Sequence, residues 1–489
     1  MATLEAPRAS ELRGQVREWR RGRAELNYWE VASDAYIAIF AVVMIGSMAG
    51  NVVLNLRRLA DDACVGSCAV TRELAPWLSA LAVAAVVLGV ARLLGPVFSP
   101  PAANVWLLGT PVDRGALLRP GWLRTVAFTV VGVVAVLLTP AVLGGFTPST
   151  GVAFVVAGSA ASLACVALAA LSQVHEHAAA RWLTWLVTGS LWVLLAATAD
   201  GRLDGVPSVP TPVALALTAA GLVAGAVLAW RVRGSLSSMS RRVLGQTENL
   251  SPALSGALSS LDLGLMYDVL LARRWGKGAT VTSRRGGPVG WWALVHSDLR
   301  RAVRAPQPFV VLAGMTLVPY AAASADAGRA LVLATTLAGL LAGPPLCAGL
   351  RVVVRTRGVA RMLPMSTAQV RGAHLVMPGT ALLLYALGTT WTLLPLMPTQ
   401  EAVRLAIACG LSSLAATLRW VSARPPDYGK PMVSTPAGAV PPGVLSSVFR
   451  GFDVWAVTAL PLVFGPTGTV VSLAISLGVI AWLVSSDPA

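Results

Sequence analysis

The pentapeptide RGALL at residues 114–118 decides how this sequence is interpreted, because a near copy, RGAHL, stands at residues 371–375. Each copy follows a leucine-rich turn that contains proline: WLLGTPVD in the first case and RMLPMSTAQV in the second. Each copy also stands just ahead of a long apolar run. Two segments that match in motif, flanking turn and following run predict an internal duplication of the chain.

The composition is typical of a membrane protein. The chain has 489 residues, of which 55% are hydrophobic and only 12% charged. A soluble domain of this size cannot bury so much apolar surface, so much of it must face lipid. The net charge of +16 is common in nucleic-acid binders. The long apolar runs exclude a soluble protein of that class, and we interpret the charge as membrane topology.

We predict twelve membrane spans, six in each half, from apolar runs that approach the roughly 20 residues needed to cross the hydrocarbon core. The last two are short and share the break FGPTG, so they form either a re-entrant hairpin or one tilted span. The predicted spans are residues 35–56, 74–94, 126–143, 152–171, 182–197 and 213–230, then 309–323, 330–350, 375–396, 402–418, 454–464 and 470–484.

The basic residues predict the orientation of these spans. With the N-terminus in the cytoplasm, the cytoplasmic segments hold 32 of the 38 Lys and Arg residues and the outer segments hold six. Basic loops stay on the cytoplasmic side of a membrane. We therefore expect a plasma-membrane protein with both termini in the cytoplasm. Since six is an even number, both halves start on the same side and the repeat is parallel.

The predicted fold class is an all-α polytopic membrane protein with interfacial elbow helices ahead of each half. The first elbow carries Trp19 and Arg20, and the second carries Trp291 and Arg300, each within an amphipathic basic stretch. The predicted organisation is a cytoplasmic elbow at 1–34, a first half at 35–230, a basic linker with the second elbow at 231–306, and a second half at 307–489.

The sequence offers no energy source of its own. The predicted spans hold no ionisable Asp, Glu, His, Lys or Arg away from their ends, and such residues mark ion-coupled transport. A phosphate-binding loop requires G-x-x-x-x-G-K-[ST], but Lys277 is followed by Gly278 and Lys430 by Pro431. Any uphill transport therefore needs energy from a partner.

With the two turns and the six-span halves in view, the chain resembles the membrane subunit of an ABC-2-type (type V) ABC exporter. In that family, a short coupling helix between the second and third spans docks into the ATPase. The resemblance implies two copies of a separate ATP-binding-cassette ATPase, which holds the ATP and Mg²⁺, and no cofactor in this chain. It assigns coupling roles to Leu107, Pro111, Asp113 and Arg114, and to Pro364, Gln369 and Arg371.

The absence of charge in the spans favours an apolar or amphipathic cargo, such as a peptide natural product, a drug or a lipid. The segment RPPDYGKPMVSTPAGAVPPG (424–443) is similar to that of large uncharacterised actinobacterial permease-like proteins, which implies no activity. Its Pro and Gly content predicts no regular structure, and we interpret it as either a mobile connector or a second docking surface or plug.

Two alternative functions stay open. One is a membrane scaffold or regulatory subunit without transport. The other is a multi-span glycosyltransferase that uses lipid-linked sugars, with Asp61 and Asp62 in the first outer loop as base or metal ligand. The same loop holds Cys64 and Cys68, for which an oxidising exterior favours a disulfide. The run His175-Glu176-His177 lacks the H-E-x-x-H spacing of a zinc site, and we predict no metal in this chain.

Overall fold

The structure is a computed structural model. It describes residues 28–63, 67–97, 112–175, 179–200, 211–240, 287–356, 362–422 and 449–486, two short strands between 433 and 440, and a few isolated positions. The first elbow residues, Trp19 and Arg20, and residues 245–286 of the predicted linker lie outside this description.

Long helices dominate the described chain. They are α1 (Tyr28–Ala63), α2 (Ser67–Leu94), α3 (Arg114–Leu143), α4 (Pro148–Val174), α5 (Ala179–Asp200), α6 (Thr211–Ser235), α7 (Trp291–Arg304), α8 (Gln307–Met315), α9 (Leu317–Ser324), α10 (Ala330–Ala342), α11 (Ala348–Arg355), α12 (Thr367–Gly388), α13 (Thr399–Val421), α14 (Phe452–Ala459) and α15 (Pro466–Ser485). Short 3₁₀ turns lie at Leu236–Ser238, Pro344–Cys347, Thr390–Thr392 and Pro461–Phe464.

Nine helical segments within the described residues are long and apolar enough to cross a membrane. Two of them are broken helices: α8 continues into α9, and α10 continues through a 3₁₀ turn into α11. Pro344 and Pro345 lie in that 3₁₀ turn, and proline lacks the N–H that a continuous helix needs. The chain is therefore a polytopic membrane protein built from helices. Two further predicted spans, 35–56 and 213–230, fall within α1 and α6.

The eleventh predicted span is short. The apolar helix Phe452–Phe464 has 13 residues and is roughly 20 Å long at 1.5 Å per residue. A hydrocarbon core is about 30 Å thick. Gly465, at φ +85°, turns the chain directly into α15, which does have membrane length. Of the last two predicted spans, α15 is therefore long enough to cross the membrane, and Phe452–Phe464 is too short to cross it as a straight helix.

The helices belong to two compact units. The first contains α1 to α4, most of α5, and α6, and the second contains α7 to α15. In the first unit, α4 packs against α2, α3 and α6, and α1 packs against α3. In the second unit, α13 packs against α10, α12 and α15, and α8 packs against α12. The fourth predicted span of each half is thus central within its own unit.

Small and hydroxyl-bearing residues let the helices of the second unit approach closely. Gly339 on α10 and Gly343, the residue that caps its C-terminal end, face Ser413 and Thr417 on α13, and a Cβ at Gly339 would lie 2.5 Å from the Ser413 oxygen. A Cβ at Gly343 would overlap the Thr417 hydroxyl. This small-x-x-x-small spacing is the usual close contact between membrane helices. The Tyr385 hydroxyl on α12 adds a hydrogen bond of 2.8 Å to a carbonyl of α10.

One expectation about the 424–443 segment is wrong. It was predicted to lack regular structure, yet Val433–Thr435 (β1) pairs antiparallel with Gly438–Val440 (β2). The β-branched residues Val433 and Thr435 favour extended backbone in spite of the surrounding prolines and glycines. Residues 423–430 lie outside the described chain.

Candidate functional site

Each pentapeptide and the turn before it form a segment that we call a corner. The first corner, at the start of α3, is a helix cap packed on a neighbouring turn. The Asp113 carboxylate accepts a hydrogen bond of 2.9 Å from the Gly115 N–H, which satisfies one free donor of the first turn. Gly115 is buried, and a Cβ there would lie 3.4 Å from the Ser237 nitrogen. The start of α3 therefore rests on the 3₁₀ turn that ends α6. Asp113 itself is exposed.

The other residues of this corner are only partly placed. The Leu107 carbonyl accepts hydrogen bonds from the N–H and the hydroxyl of Thr110, at 3.2 and 2.6 Å. Leu107 and Arg114 are half-buried, and Pro111 lies outside the described residues. The turn before α3 therefore presents Asp113 and Thr110 to the surroundings.

The second corner, at the start of α12, carries a reciprocal cap. The Ser366 hydroxyl accepts from the Gln369 N–H at 3.3 Å, and the Gln369 side chain accepts from the Ser366 N–H at 3.0 Å. This capping box starts the helix at Thr367, one turn earlier than RGAHL. Pro364 and Gln369 are exposed, so the turn itself lies on the surface of the protein.

The Arg371 side chain, in contrast, is buried. It is 7% exposed, and its Nη1 donates to the carbonyls of Leu483 and Ser486 at 2.7 and 2.6 Å. These carbonyls close the last turn of α15, where a cation is favourable because the helix end carries partial negative charge. Arg371 therefore presents its guanidinium to α15 and not to the surroundings, and its coupling role stays a prediction. Its side chain joins α12 to α15.

The two pentapeptides nevertheless share a neighbour. RGALL packs on the turn that follows the sixth helix of the first unit, and RGAHL binds the end of the sixth predicted span of the second. The first contact uses a glycine and the backbone, whereas the second uses an arginine and two carbonyls. The two corners thus contact the end of the sixth helix of their own unit through different interactions.

A buried carboxylate joins the second elbow helix to this corner. Asp298 on α7 is 8% exposed, and its Oδ1 accepts from Arg301 Nη1 at 3.0 Å. Its Oδ2 lies 2.6 Å from Nδ1 of His374, which is 5% exposed. The backbone of Gly349 on α11 seals the group, because a Cβ there would overlap Asp298 and press on the imidazole. Three elements meet at this one carboxylate.

A second contact ties the elbow to the exposed turn. Trp291 Nε1, at the start of α7, donates to the Gln369 carbonyl at 2.9 Å. The opposite polar face of α7 carries Arg300, which borders an open depression. Trp291 and Gln369 were predicted as members of separate motifs, and the structure brings them together.

Buried charge is concentrated in this corner. Within the described part of the chain, the charged or imidazole side chains that are buried are Asp298, Arg351, Arg371 and His374. All four belong to α7, α11 or α12. Sequence reasoning missed Asp298 and His374, although one signal was available. RGAHL carries His374 where RGALL carries Leu117, and an imidazole on a buried helix face needs a polar partner.

Two residues of the predicted first outer loop, Asp61 at the end of α1 and Cys68 at the start of α2, have partners. The Arg72 guanidinium binds the Asp61 carboxylate and, with Arg57 at 3.7 Å, holds the pKa of Asp61 below its ordinary value. Cys68 is disulfide-bonded, while Cys64 and the side chain of Asp62 lie outside the description.

Metal ligands are not grouped in the part of the chain that is described, where no three His, Cys, Asp or Glu side chains come together. His175 caps the C-terminal end of α4, and its N–H donates to the Leu171 carbonyl at 3.0 Å. Residues 176–178 of the predicted His-Glu-His run are outside the described ranges.

Comparison with known proteins gives a family without a known function. The chain belongs to the DUF6297 family, a family of unknown function, whose model matches residues 68–431. This match includes both pentapeptides, the second elbow and the Asp298–His374 pair. No curated protein and no solved structure matches the chain.

Proposed function

We propose that this DUF6297 protein is the membrane permease of an ATP-driven exporter for an apolar or amphipathic compound. Its twelve spans form two parallel six-span repeats. Two copies of a separate ATP-binding-cassette ATPase bind the cytoplasmic corners and carry the ATP and Mg²⁺. ATP-driven closure of the ATPases pushes the corners and switches access to a path between the halves.

The observation that carries this proposal is an exposed turn fixed rigidly to a membrane helix. In the second corner Met362 is 85% exposed, beside the exposed Pro364. The capping box and the Trp291 hydrogen bond then join that turn to α12 and α7. A force applied to the turn therefore reaches the membrane helices without first bending a loop.

The equivalent packing within each unit supports the duplication. In both units the fourth predicted span is central, and the start of the third lies against the end of the sixth. The position of the buried charge supports a partner as the energy source. Among the described residues it gathers on α7, on α11 and near the start of α12, rather than along the middle of the spans, where ion-coupled transporters place it.

The test is binding of candidate ATP-binding-cassette ATPases to the purified full-length chain in nanodiscs. We expect two ATPase copies per chain and faster ATP hydrolysis in the complex. Met362→Glu should weaken binding by about tenfold or more, since it puts a charge in the centre of an apolar contact. Val289→Glu is the matched control, because Val289 is equally exposed at 86% and lies outside both turns.

Two outcomes would overturn the proposal. One is a correctly folded chain that binds no ATP-binding-cassette ATPase. The other is transport of a compound against its gradient in vesicles that contain the chain and no nucleotide hydrolase.

A further inference from the structure

The elbow helix α7 borders an open depression of about 430 Å³ that no part of the proposed export mechanism uses. It lies where the chain turns into α7 at Gly290, a glycine with φ +62°. The residues that line it are Gly287, Pro288, Ala293, His296, Ser297 and Arg300.

Helix α7 has three faces of different character. Asp298 and Arg301 lie on the face that packs against α12. A second face exposes Trp292, Leu299 and Val303, which recur at spacings of seven and four residues. The third face carries the polar wall of the depression. Because the helix rotates by about 100° per residue, that polar face directly flanks the exposed apolar one.

The depression is cationic and has no counterion in the described chain. Asp298 is the one acidic residue of α7, and it is already bound by Arg301 and His374. Arg300 therefore has no carboxylate partner among the described residues. The first turn of α7 adds the positive end of the helix dipole, and no side chain caps it.

The available donors suit one oxyanion. The Arg300 guanidinium and the His296 imidazole are both on the wall of the depression. The Ser297 hydroxyl is not available as a donor, because it already donates to the Leu294 carbonyl at 2.7 Å. A planar guanidinium matches the geometry of a phosphate group and binds it through two parallel hydrogen bonds.

We propose that this depression binds the phosphate of an anionic phospholipid, with Arg300 as the main donor and His296 beside it. The acyl chains of that lipid lie along Trp292, Leu299 and Val303. A free phosphate ion would use the cationic wall and leave the apolar face without a ligand. The adjacency of the two faces therefore commits the site to a lipid. This inference does not depend on the exporter proposal, because it needs only the membrane and α7.

The test is calorimetric titration of the full-length chain in neutral detergent with a short-chain phosphatidylglycerol. Arg300→Gln removes a charge-assisted hydrogen bond to phosphate, and we expect its affinity to fall by about tenfold or more. Arg304→Gln is the matched control, since Arg304 carries the same charge on the same helix and does not line the depression. It should change the affinity by roughly fivefold or less, as expected of a basic residue near an anionic surface.

Each outcome of the titration either supports or overturns the proposed lipid site. Selective loss in Arg300→Gln, with weak binding of the matching phosphatidylcholine, supports the site. Equal loss in both variants would mean general surface attraction and would overturn it. Displacement of the lipid by millimolar inorganic phosphate would identify a free-anion site and also overturn it. Unchanged size-exclusion profiles and melting temperatures for both variants establish that each is folded.

Discussion

Replacing His374 with leucine converts RGAHL into RGALL, the form found in the first half of the chain. The change removes one of the two partners of the buried Asp298. A hydrogen bond to a charged group contributes about 1.5–3 kcal/mol, and breaking a buried ion pair costs about 3–5 kcal/mol. Because Arg301 still donates to Asp298 at 3.0 Å, we expect the lower figure. His374→Leu should therefore lower the free energy of unfolding by about 2 kcal/mol.

A double-mutant cycle with Asp298→Ala isolates the pair. If the 2.6 Å contact is what His374 contributes, His374→Leu should cost little once the carboxylate is absent. The coupling free energy should then be about 2 kcal/mol, measured by unfolding in mixed detergent micelles and followed by circular dichroism. Ser297→Ala on the same helix is the control and should stay within about 0.5 kcal/mol. Single-variant effects that add to within about 0.5 kcal/mol would refute the assignment.

Three further changes test other parts of the structure. Arg371→Gln should lower the free energy of unfolding by about 2–3 kcal/mol and speed hydrogen exchange in the last turn of α15, since two carbonyls lose their donor; unchanged exchange there would contradict the cap. Gly343→Ala should cost about 1–3 kcal/mol through overlap with the facing helix, while Gly478→Ala, in open space, should be nearly neutral. The lowered pKa of Asp61 means that its ionised form stabilises the fold, so this contribution is present above pH 3.8 and is lost as pH falls through the folded-state pKa. Melting scans from pH 2 to 7 should show a shallower acid dependence for Asp61→Asn, and parallel curves would contradict the Arg72 contact.

Local patterns were sufficient to predict the helical segments and the elbow. The apolar runs gave most of the spans, because length and hydropathy decide whether a helix crosses a membrane. The Ser366–Gln369 spacing is a recognisable capping box, and the amphipathic basic stretch around Trp291 and Arg300 predicted α7. All these signals lie within a few residues of the structure that they predict.

Such local patterns could not predict the side-chain contacts within the second corner. Arg371 binds carbonyls 112 and 115 residues away, and His374 meets a carboxylate 76 residues earlier. A basic residue beside a membrane helix is normally attributed to topology, so Arg371 carried no sign of a cap. Packing inside the bilayer is hard to predict for a further reason. Lipid-facing residues are as apolar as core residues, so hydropathy does not separate them.

The two faces of α7 connect the proposed lipid site to the second corner, and this connection has a measurable consequence. Arg300 lies on one side of the helix, while Asp298 and Trp291 bind α12 and its turn from the other. If lipid binding and ATPase binding both favour one position of α7, each must strengthen the other by the same factor. We therefore expect the permease to bind its ATPase more tightly in nanodiscs that contain phosphatidylglycerol than in phosphatidylcholine alone. Arg300→Gln should remove that difference while leaving the affinity in phosphatidylcholine unchanged. Equal ATPase affinities in the two lipids for the unaltered chain would show that α7 does not transmit binding between these sites.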